Sequence, residues 1–494
     1  NLLWSFATTD RARPEVADFI LRALIKSHEE GNEESTGSQE WSNSVWALGT
    51  AGIMGPEEYF IPYLAQLMET EPNFLKAFKP QELSNTIWGV ATILSSRPGQ
   101  PEGELNDAAL TIFRNVCREI TDREAQGFKS QETANSVWAV ATLGFGLEVD
   151  LELAERSDYK FLTSNNLKYD EQLSKALVQV VSDDVKRRTR RYRSQELNNL
   201  LWAMARVDFK DDETCEMIAM ELANPRRLVK SQDLGTSLWG MATSEFYNPE
   251  AYEAVAARWT PEMAARAKPQ ELSNSVWGLA TADVPTRYPD AFDTTLLPPK
   301  HRRQPRHPSE DPVITCFALA AQELMRRPDQ FKVQEIKDVL WAFSRNGIRH
   351  PQLFRAMAEY IIGTEEDDSS ARTMKEFNVQ AVGNTAWAYA RQAQLGSETT
   401  ARFRGKTRLP FATGRLSHYM TLIADVGEST IHRLFDAVAE MDVRVFDKMK
   451  RLKPQDVSNT VWAFAIVGVQ HTEFLQAVVS EMRRRSYTFS PQEI

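Results

Sequence analysis

Nine tryptophans of this chain stand seven residues after a glutamine, and a tenth, Trp4, lies in the same setting too near Asn1 for the glutamine to be seen. The fullest copies are Lys79-Pro-Gln-Glu-Leu-Ser-Asn-Thr-Ile-Trp88, Lys129-Ser-Gln-Glu-Thr-Ala-Asn-Ser-Val-Trp138, Lys268-Pro-Gln-Glu-Leu-Ser-Asn-Ser-Val-Trp277 and Lys453-Pro-Gln-Asp-Val-Ser-Asn-Thr-Val-Trp462. Trp46, Trp202, Trp239, Trp341 and Trp387 complete the series. A motif that returns every few tens of residues marks stacked units, none of which buries its apolar face alone. The shortest intervals, Trp202 to Trp239 and Trp239 to Trp277, are 37 and 38 residues, the length of two helices and two turns. The sequence therefore predicts an all-α fold, an α-solenoid of ten to eleven helix-turn-helix repeats running as one array over residues 1–494.

Longer intervals imply insertions, expected near residues 146–192, 285–312, 363–376 and 396–412. The 75-residue gap between Trp387 and Trp462 spans about two periods, and Arg415–Gly427 fits the register as a degraded unit. There Thr421 takes the tryptophan slot and His418 the asparagine slot. The chain opens inside one motif and stops at the start of another, Ser490-Pro-Gln-Glu-Ile494, which reads as the interior of a longer array.

With the glutamine as position 1, each motif reads as an amphipathic helix. Proline or serine just before it suits a helix start, and an acid at position 2, such as Glu82, Glu132, Glu196 or Asp233, faces the positive end of the helix dipole. Positions 3, 7 and 10 are mostly aliphatic and share one side. Positions 1, 5, 8 and 12 fall on the opposite side as Gln, Asn, Trp and Thr or Arg, between flanks of Ala, Gly and Ser. Segments such as Glu250–Arg258, Gln352–Ile362 and Thr472–Arg485 supply the second helices.

Two readings of the polar-aromatic stripe stand side by side. It lines a groove that binds a long ligand, or it forms the joint between units, with tryptophan as a wedge and asparagine bonded across. The uniformity of Trp and Gln favours the joint, and asparagine, a poor helix former, needs a cause at every return. Position 12 (Thr92, Thr142, Arg206, Thr243, Thr281, Arg345, Arg391, Ile466) and position 4 (Ser84, Ala134, Asn198, Gly235, Ser273, Lys337, Gly383, Ser458) vary more. Those two columns are the better expected reading surface. Asn85, Asn135, Asn199, Asn274, Asn384 and Asn459 complete the candidate base-facing set.

The run Pro-Gln-Glu-Leu-Ser-Asn-Thr-Ile-Trp-Gly-Val-Ala-Thr resembles the first helix of the octotricopeptide repeat, a unit of about 38 residues related to the arrays of RAP-domain organellar proteins. The resemblance extends over nearly the whole chain and implies an α-solenoid that binds single-stranded organellar RNA. The processes implied are RNA processing, stability, translation or ribosome assembly, in a mitochondrion or chloroplast. Long insertions and irregular spacing depart from the family's tidier members, and no RAP domain is evident.

Charge opposes RNA at first sight: 58 basic side chains meet 68 acidic ones, for a net −10, while phosphate affinity comes mostly from Lys and Arg. The distribution answers in part. Two residues before the glutamine slot stand Lys79, Lys129, Arg193, Lys230, Lys268, Lys332 and Lys453, a column that stacking would align into a basic track for phosphates. Lys186–Arg193 and Lys300–His307 add local clusters. The alternative partner class is protein, with the array as a structural scaffold subunit in a large organellar assembly.

Catalysis has little support. The histidines form no metal-spaced pair, no phosphate-binding glycine loop or nucleophile elbow occurs, and Cys117, Cys215 and Cys316 lie far apart. The sequence points to a non-enzyme with no cofactor, no metal and no small-molecule substrate. No apolar run approaches the roughly 18 residues of a membrane span. Because residues 298–308 are polar and proline-rich, their deletion is expected to leave the melting temperature nearly unchanged. A large drop would show that they belong to the core.

Overall fold

The computed structural model describes residues 2–9, 11–31, 36–97, 103–143, 167–286, 292, 311–362, 376–403, 415–445 and 452–485. Every regular element among them is helical, and no strand occurs among them. The chain falls into two compact units, Asn1–Leu228 with Thr243–Phe246, and Val229–Ala242 with Tyr247–Ile494.

In the first unit the helices are α1 (Leu2–Thr8), α2 (Pro14–Glu29), α3 (Ser38–Ala51), α4 (Glu57–Thr70), α5 (Pro80–Ser96), α6 (Glu104–Asp122), α7 (Ser130–Leu143), α8 (Leu167–Arg188), α9 (Ser194–Arg206) and α10 (Asp212–Ala223). The motif helices α1, α3, α5, α7 and α9 pack each on the next as one layer. Helices α4, α6, α8 and α10 pack in the same order as a second layer, and the Tyr59 hydroxyl of α4 donates to Asp18 of α2 at 3.0 Å.

The second unit holds α11 (Ser231–Thr243, its last residue apart), α12 (Pro249–Ala256), α13 (Pro261–Arg266), α14 (Pro269–Thr281), α15 (Pro312–Arg326), α16 (Val333–Arg345), α17 (Pro351–Ile362), α18 (Val379–Phe403), α19 (Arg415–Val426), α20 (Glu428–Glu440), α21 (Pro454–Val467) and α22 (Thr472–Arg485). Here α14, α16, α18 and α21 succeed one another in the motif layer, with α15, α17, α20 and α22 behind them.

Each motif helix starts by one local rule. Lys79 sits in extended backbone at φ −71°, ψ 160°, and Pro80 opens the helix. The position 2 carboxylate then folds back: Glu82 accepts the Lys79 backbone N–H at 2.7 Å. Lys129 to Glu132 (2.8 Å), Arg193 to Glu196 (2.7 Å), Lys230 to Asp233 (2.8 Å), Lys268 to Glu271 (3.0 Å) and Lys332 to Glu335 (2.7 Å) repeat the bond. The acid thus supplies a specific half of a capping box, beyond a general dipole effect. Leu83, Ile87 and Val90 are buried, as are their counterparts Leu272, Val276 and Leu279.

The flanks carry the stacking. A Cβ built on Gly89 would lie 2.7 Å from the Val45 carbonyl oxygen of the preceding motif helix, and one on Gly235 2.6 Å from that of Glu271. The Ser84 hydroxyl donates to the Glu132 carbonyl at 2.9 Å and the Ser344 hydroxyl to that of Ala388 at 2.9 Å.

Two expectations change. Residues 167–188, inside the expected insertion at 146–192, are the second helix α8, and residues 396–403 continue α18. The rest of the expected insertions, residues 146–166, most of 287–310, 363–375 and 404–412, lies outside the described residues. The second correction concerns Arg415–Gly427, which is not a unit between its neighbours. The Trp387 and Trp462 rings are 6.3 Å apart, so α18 and α21 stack directly. Helix α19 is instead tied to α17: Arg349, buried, grips Asp425 through two bonds of 2.8 Å, and Arg355 donates to the Asp425 carbonyl at 2.7 Å.

Gly89→Ala is expected to lower stability. Overpacking against Val45 costs about 1–3 kcal/mol, more than the roughly 1 kcal/mol alanine gains over glycine inside a helix. A rise in the denaturation midpoint would show that the helices can separate without loss.

Candidate functional site

Helical spacing leaves one row of most motif helices in contact with water. Along α5, Gln81 is exposed and Asn85, Trp88 and Thr92 are half-buried, while the residues between them from Glu82 to Ala91 are buried. The same pattern holds for Gln131, Asn135, Trp138 and Thr142 on α7 and for Gln270, Asn274, Trp277 and Thr281 on α14. On α18 and α21, Asn384, Trp387, Arg391, Asn459 and Trp462 are likewise half-buried.

The tryptophans meet one another along this row. In the first unit ring centroids are 6.2 Å apart for Trp4–Trp46, 6.2 Å for Trp46–Trp88 and 6.1 Å for Trp88–Trp138. In the second, Trp277–Trp341 are 6.4 Å apart and Trp387–Trp462 6.3 Å. The rings lie at about 30° to each other, offset contacts of the kind worth roughly 0.5–1.5 kcal/mol beyond burial. Each of these tryptophans therefore is a joint between successive motif helices, and those half-buried, such as Trp88, Trp138 and Trp277, are also part of the solvent face.

The amides do not follow it. The side chains of Asn85, Asn135, Asn199, Asn274, Asn384 and Asn459 make no hydrogen bond to any described residue, and neither do those of Gln81, Gln131, Gln195, Gln270 and Gln455. The expected bond of asparagine across the joint is absent from these positions. In one motif the row is closed: Asp338 holds the asparagine slot of α16, buried, and accepts from Gln334 at 3.5 Å.

The two variable columns do not form the open surface expected of them. At position 4, Ser84, Ala134, Asn198, Gly235, Ser273, Lys337 and Gly383 are buried. They are small or internally bonded because the next helix passes over them, so their variation tracks packing. Position 12 is mixed. The Thr92 hydroxyl donates to the Trp88 carbonyl at 2.8 Å, and the hydroxyls of Thr142 and Thr281 are buried without a partner. Thr243 is half-buried. Arg206 is buried, 5.8 Å from the Trp202 ring centre. Arg345 pairs with Asp283 at 2.8 Å and Arg391 with Glu398 at 3.3 Å.

At the N-terminal end of the motif helices the basic column stands in solvent. Lys79, Lys129, Arg193, Lys230, Lys268 and Lys332 are exposed and Lys453 half-buried. Lys76, Arg190, Arg191 and Arg226 are exposed on the same rim of the first unit.

Sequence reasoning missed what holds this rim. Arg123, just after α6, donates to the Phe78 carbonyl at 2.7 Å and to Glu119 at 2.8 Å. Arg188 donates to the Phe128 carbonyl at 2.7 Å, Arg227 to that of Tyr192 at 2.7 Å and Arg327 to that of Ala267 at 2.7 Å. Arg485 reaches the Leu452 carbonyl. Each carbonyl belongs to the residue just before the rim cation, so one peptide unit is held by arginine at its oxygen and by the capping acid at its N–H. The signal was present as an acid four residues before arginine at the end of a second helix: Glu119 and Arg123, Asp184 and Arg188, Glu323 and Arg327, Glu481 and Arg485. The Lys186–Arg193 cluster divides accordingly. Lys186 pairs with Asp211 at 2.8 Å, Arg187 with Asp184 at 3.3 Å, and Arg188 serves the clamp, which leaves Arg190, Arg191 and Arg193 facing outward. The cluster at Lys300–His307 lies outside the described residues.

Among the described residues no group of His, Cys, Asp or Glu is placed to hold a metal ion, and no helix is long and apolar enough to cross a membrane. Burial pushes the Cys215 and Cys316 thiols up to about 12, away from the thiolate form. The chain matches no protein-family model and no curated protein. What the fold and its open row define is an all-α helical-repeat protein with a surface suited to binding a macromolecule.

Trp88, between Trp46 and Trp138, tests the row. Trp88→Ala is expected to cost about 1–3 kcal/mol by removing both ring pairings, with burial losses added, read as a lowered chemical-denaturation midpoint. No change would mean that the rings touch without contributing to the stack.

Proposed function

We propose that the chain binds single-stranded RNA along the open row, with phosphates on the basic rim, as part of RNA processing, stability, translation or ribosome assembly in a mitochondrion or chloroplast. The observation that carries this reading is the pairing of two features on the motif helices α5, α7, α9 and α14. One is an exposed Lys or Arg on a peptide unit pinned from both sides; the other is a set of amides without an internal partner. The pinned rim holds the backbone that carries its cations in place before a ligand arrives, which reduces the ordering cost of binding. Phosphate contacts then position the strand while amides meet the bases. The resemblance to octotricopeptide repeats supports the same assignment and supplies the organelle.

A protein-binding scaffold is the second reading. It is favoured by the net charge of −10 and by Arg345 and Arg391, whose charges are already met by carboxylates of the chain.

Reversing the charge of Lys79, Lys129, Lys230 and Lys268 together discriminates between the two. Binding to single-stranded RNA is expected to weaken, and the slope of log K against log salt to fall by about 0.7 for each phosphate no longer neutralised. Exposed substitutions change stability by less than about 0.5 kcal/mol each, so the fold survives. Unchanged RNA affinity and salt slope would transfer the assignment to the scaffold.

A further inference from the structure

We propose that single-stranded RNA is gripped at one stretch of the array, the successive motif helices α5, α7 and α9 of the first unit, an inference that rests on the RNA-binding reading above. A rung is complete when it joins an exposed cation at the helix start to two uncommitted amides on the open row. Lys79, Lys129 and Arg193 are the exposed cations of these three helices. Gln81 and Asn85, Gln131 and Asn135, and Gln195 and Asn199 are their uncommitted amides. The helices pack each on the next, so one strand meets three complete rungs without a gap. Contacts on adjacent rungs reinforce one another, because a strand held at one is already concentrated at the next.

The motif before this stretch is built differently. In α3 the cation slot is Gly37, and Asn43 is engaged within the chain. The carbonyl that arginine holds in α5, α7 and α9 is here that of Thr36, and it accepts instead from the Trp41 indole N–H at 3.1 Å. Trp41 is buried against Phe60 and Tyr63, with ring centres 5.8 and 6.0 Å away. A tryptophan outside the repeated series therefore does for α3 what Arg123 does for α5, on a rung without a cation.

In the second unit no two neighbouring motif helices are both complete among the described residues. Helix α11 has Thr236 in the asparagine slot. Helix α16 replaces the Ser273-Asn274 of α14 by Lys337-Asp338, a buried ion pair of 2.6 Å, and Asp338 also takes up Gln334. Helix α18 has Asn378 in the cation slot, its side chain accepting the Ala381 N–H at 2.8 Å. Helices α14 and α21 are left as single rungs. Further cations gather instead beside α5 and α9: Lys76, Arg190, Arg191 and Arg226 are exposed, and none pairs with a carboxylate among the described residues.

The test uses the full chain and a labelled pool of random-sequence oligoribonucleotides containing 4-thiouridine, long enough to pass every motif helix. Ultraviolet cross-linking and mass spectrometry are expected to place the cross-links on peptides of α5, α7 and α9. Lys79→Glu combined with Arg193→Glu is expected to weaken binding roughly tenfold or more. The slope of log K against log salt falls with it, by about 0.7 for each phosphate no longer neutralised. An unchanged melting temperature assigns that loss to contacts and not to folding. Cross-links spread equally over α14 and α21 overturn the placement and leave RNA binding standing, as does their transfer to those helices in the double variant with affinity retained. If the pool does not bind the unaltered chain, RNA binding falls as well.

Discussion

Within each unit the motif helices approach until the main chain of one touches the next, and the other features follow from that closeness. The flanks are filled mostly by glycine, alanine and serine, because a Cβ on Gly89 already meets the Val45 carbonyl. Serine hydroxyls reach the carbonyls of the neighbouring helix, as Ser84 does at Glu132. The same approach brings large side chains on the outer row into contact, and tryptophan can bridge the remaining distance while keeping an edge in water. Closer helices would expel the rings and wider ones would part them. The stripe is thus a product of packing even where it faces outward.

Much of the fold was legible in the sequence because its determinants are local and repeated. Glutamine-to-tryptophan spacing located the motif helices, Pro80 and its equivalents marked their starts, and Leu83, Ile87 and Val90 marked the buried side. Thr421 and His418 misled for a physical reason: a register can fit by composition, but stacking order is set by which helix faces are small enough to touch, and α18 touches α21. Helix α8 was hidden because the long gap between Trp138 and Trp202 reads as one insertion over residues 146–192, which absorbs the second helix at 167–188.

The site was less legible. Position 4 looked like a reading surface because it varies, yet variation among Ser, Ala, Asn and Gly reflects how much space the next helix leaves. Position 12 contains arginines that sequence alone counts as free charge. In the structure Arg206 lies against a ring and Arg345 and Arg391 against carboxylates. The amides were legible as a column but not as uncommitted groups, since a column that recurs in every unit is equally compatible with a structural bond. Whether a polar side chain has a partner is a three-dimensional property that spacing does not carry.

The arginine clamps act inside a hairpin, whereas ring contacts and serine bonds act between hairpins. Arg123 closes the open end of the hairpin of α5 and α6, joining the end of α6 to Phe78 just before α5, and Arg188, Arg227, Arg327 and Arg485 do the same for theirs. A repeat copied within the gene would therefore bring its own closure with it. It would need from its neighbours only a flank of small residues and a tryptophan in register. Lengthening by duplication, and the uneven spacing of the tryptophans, are what such a division between private closure and shared contact permits.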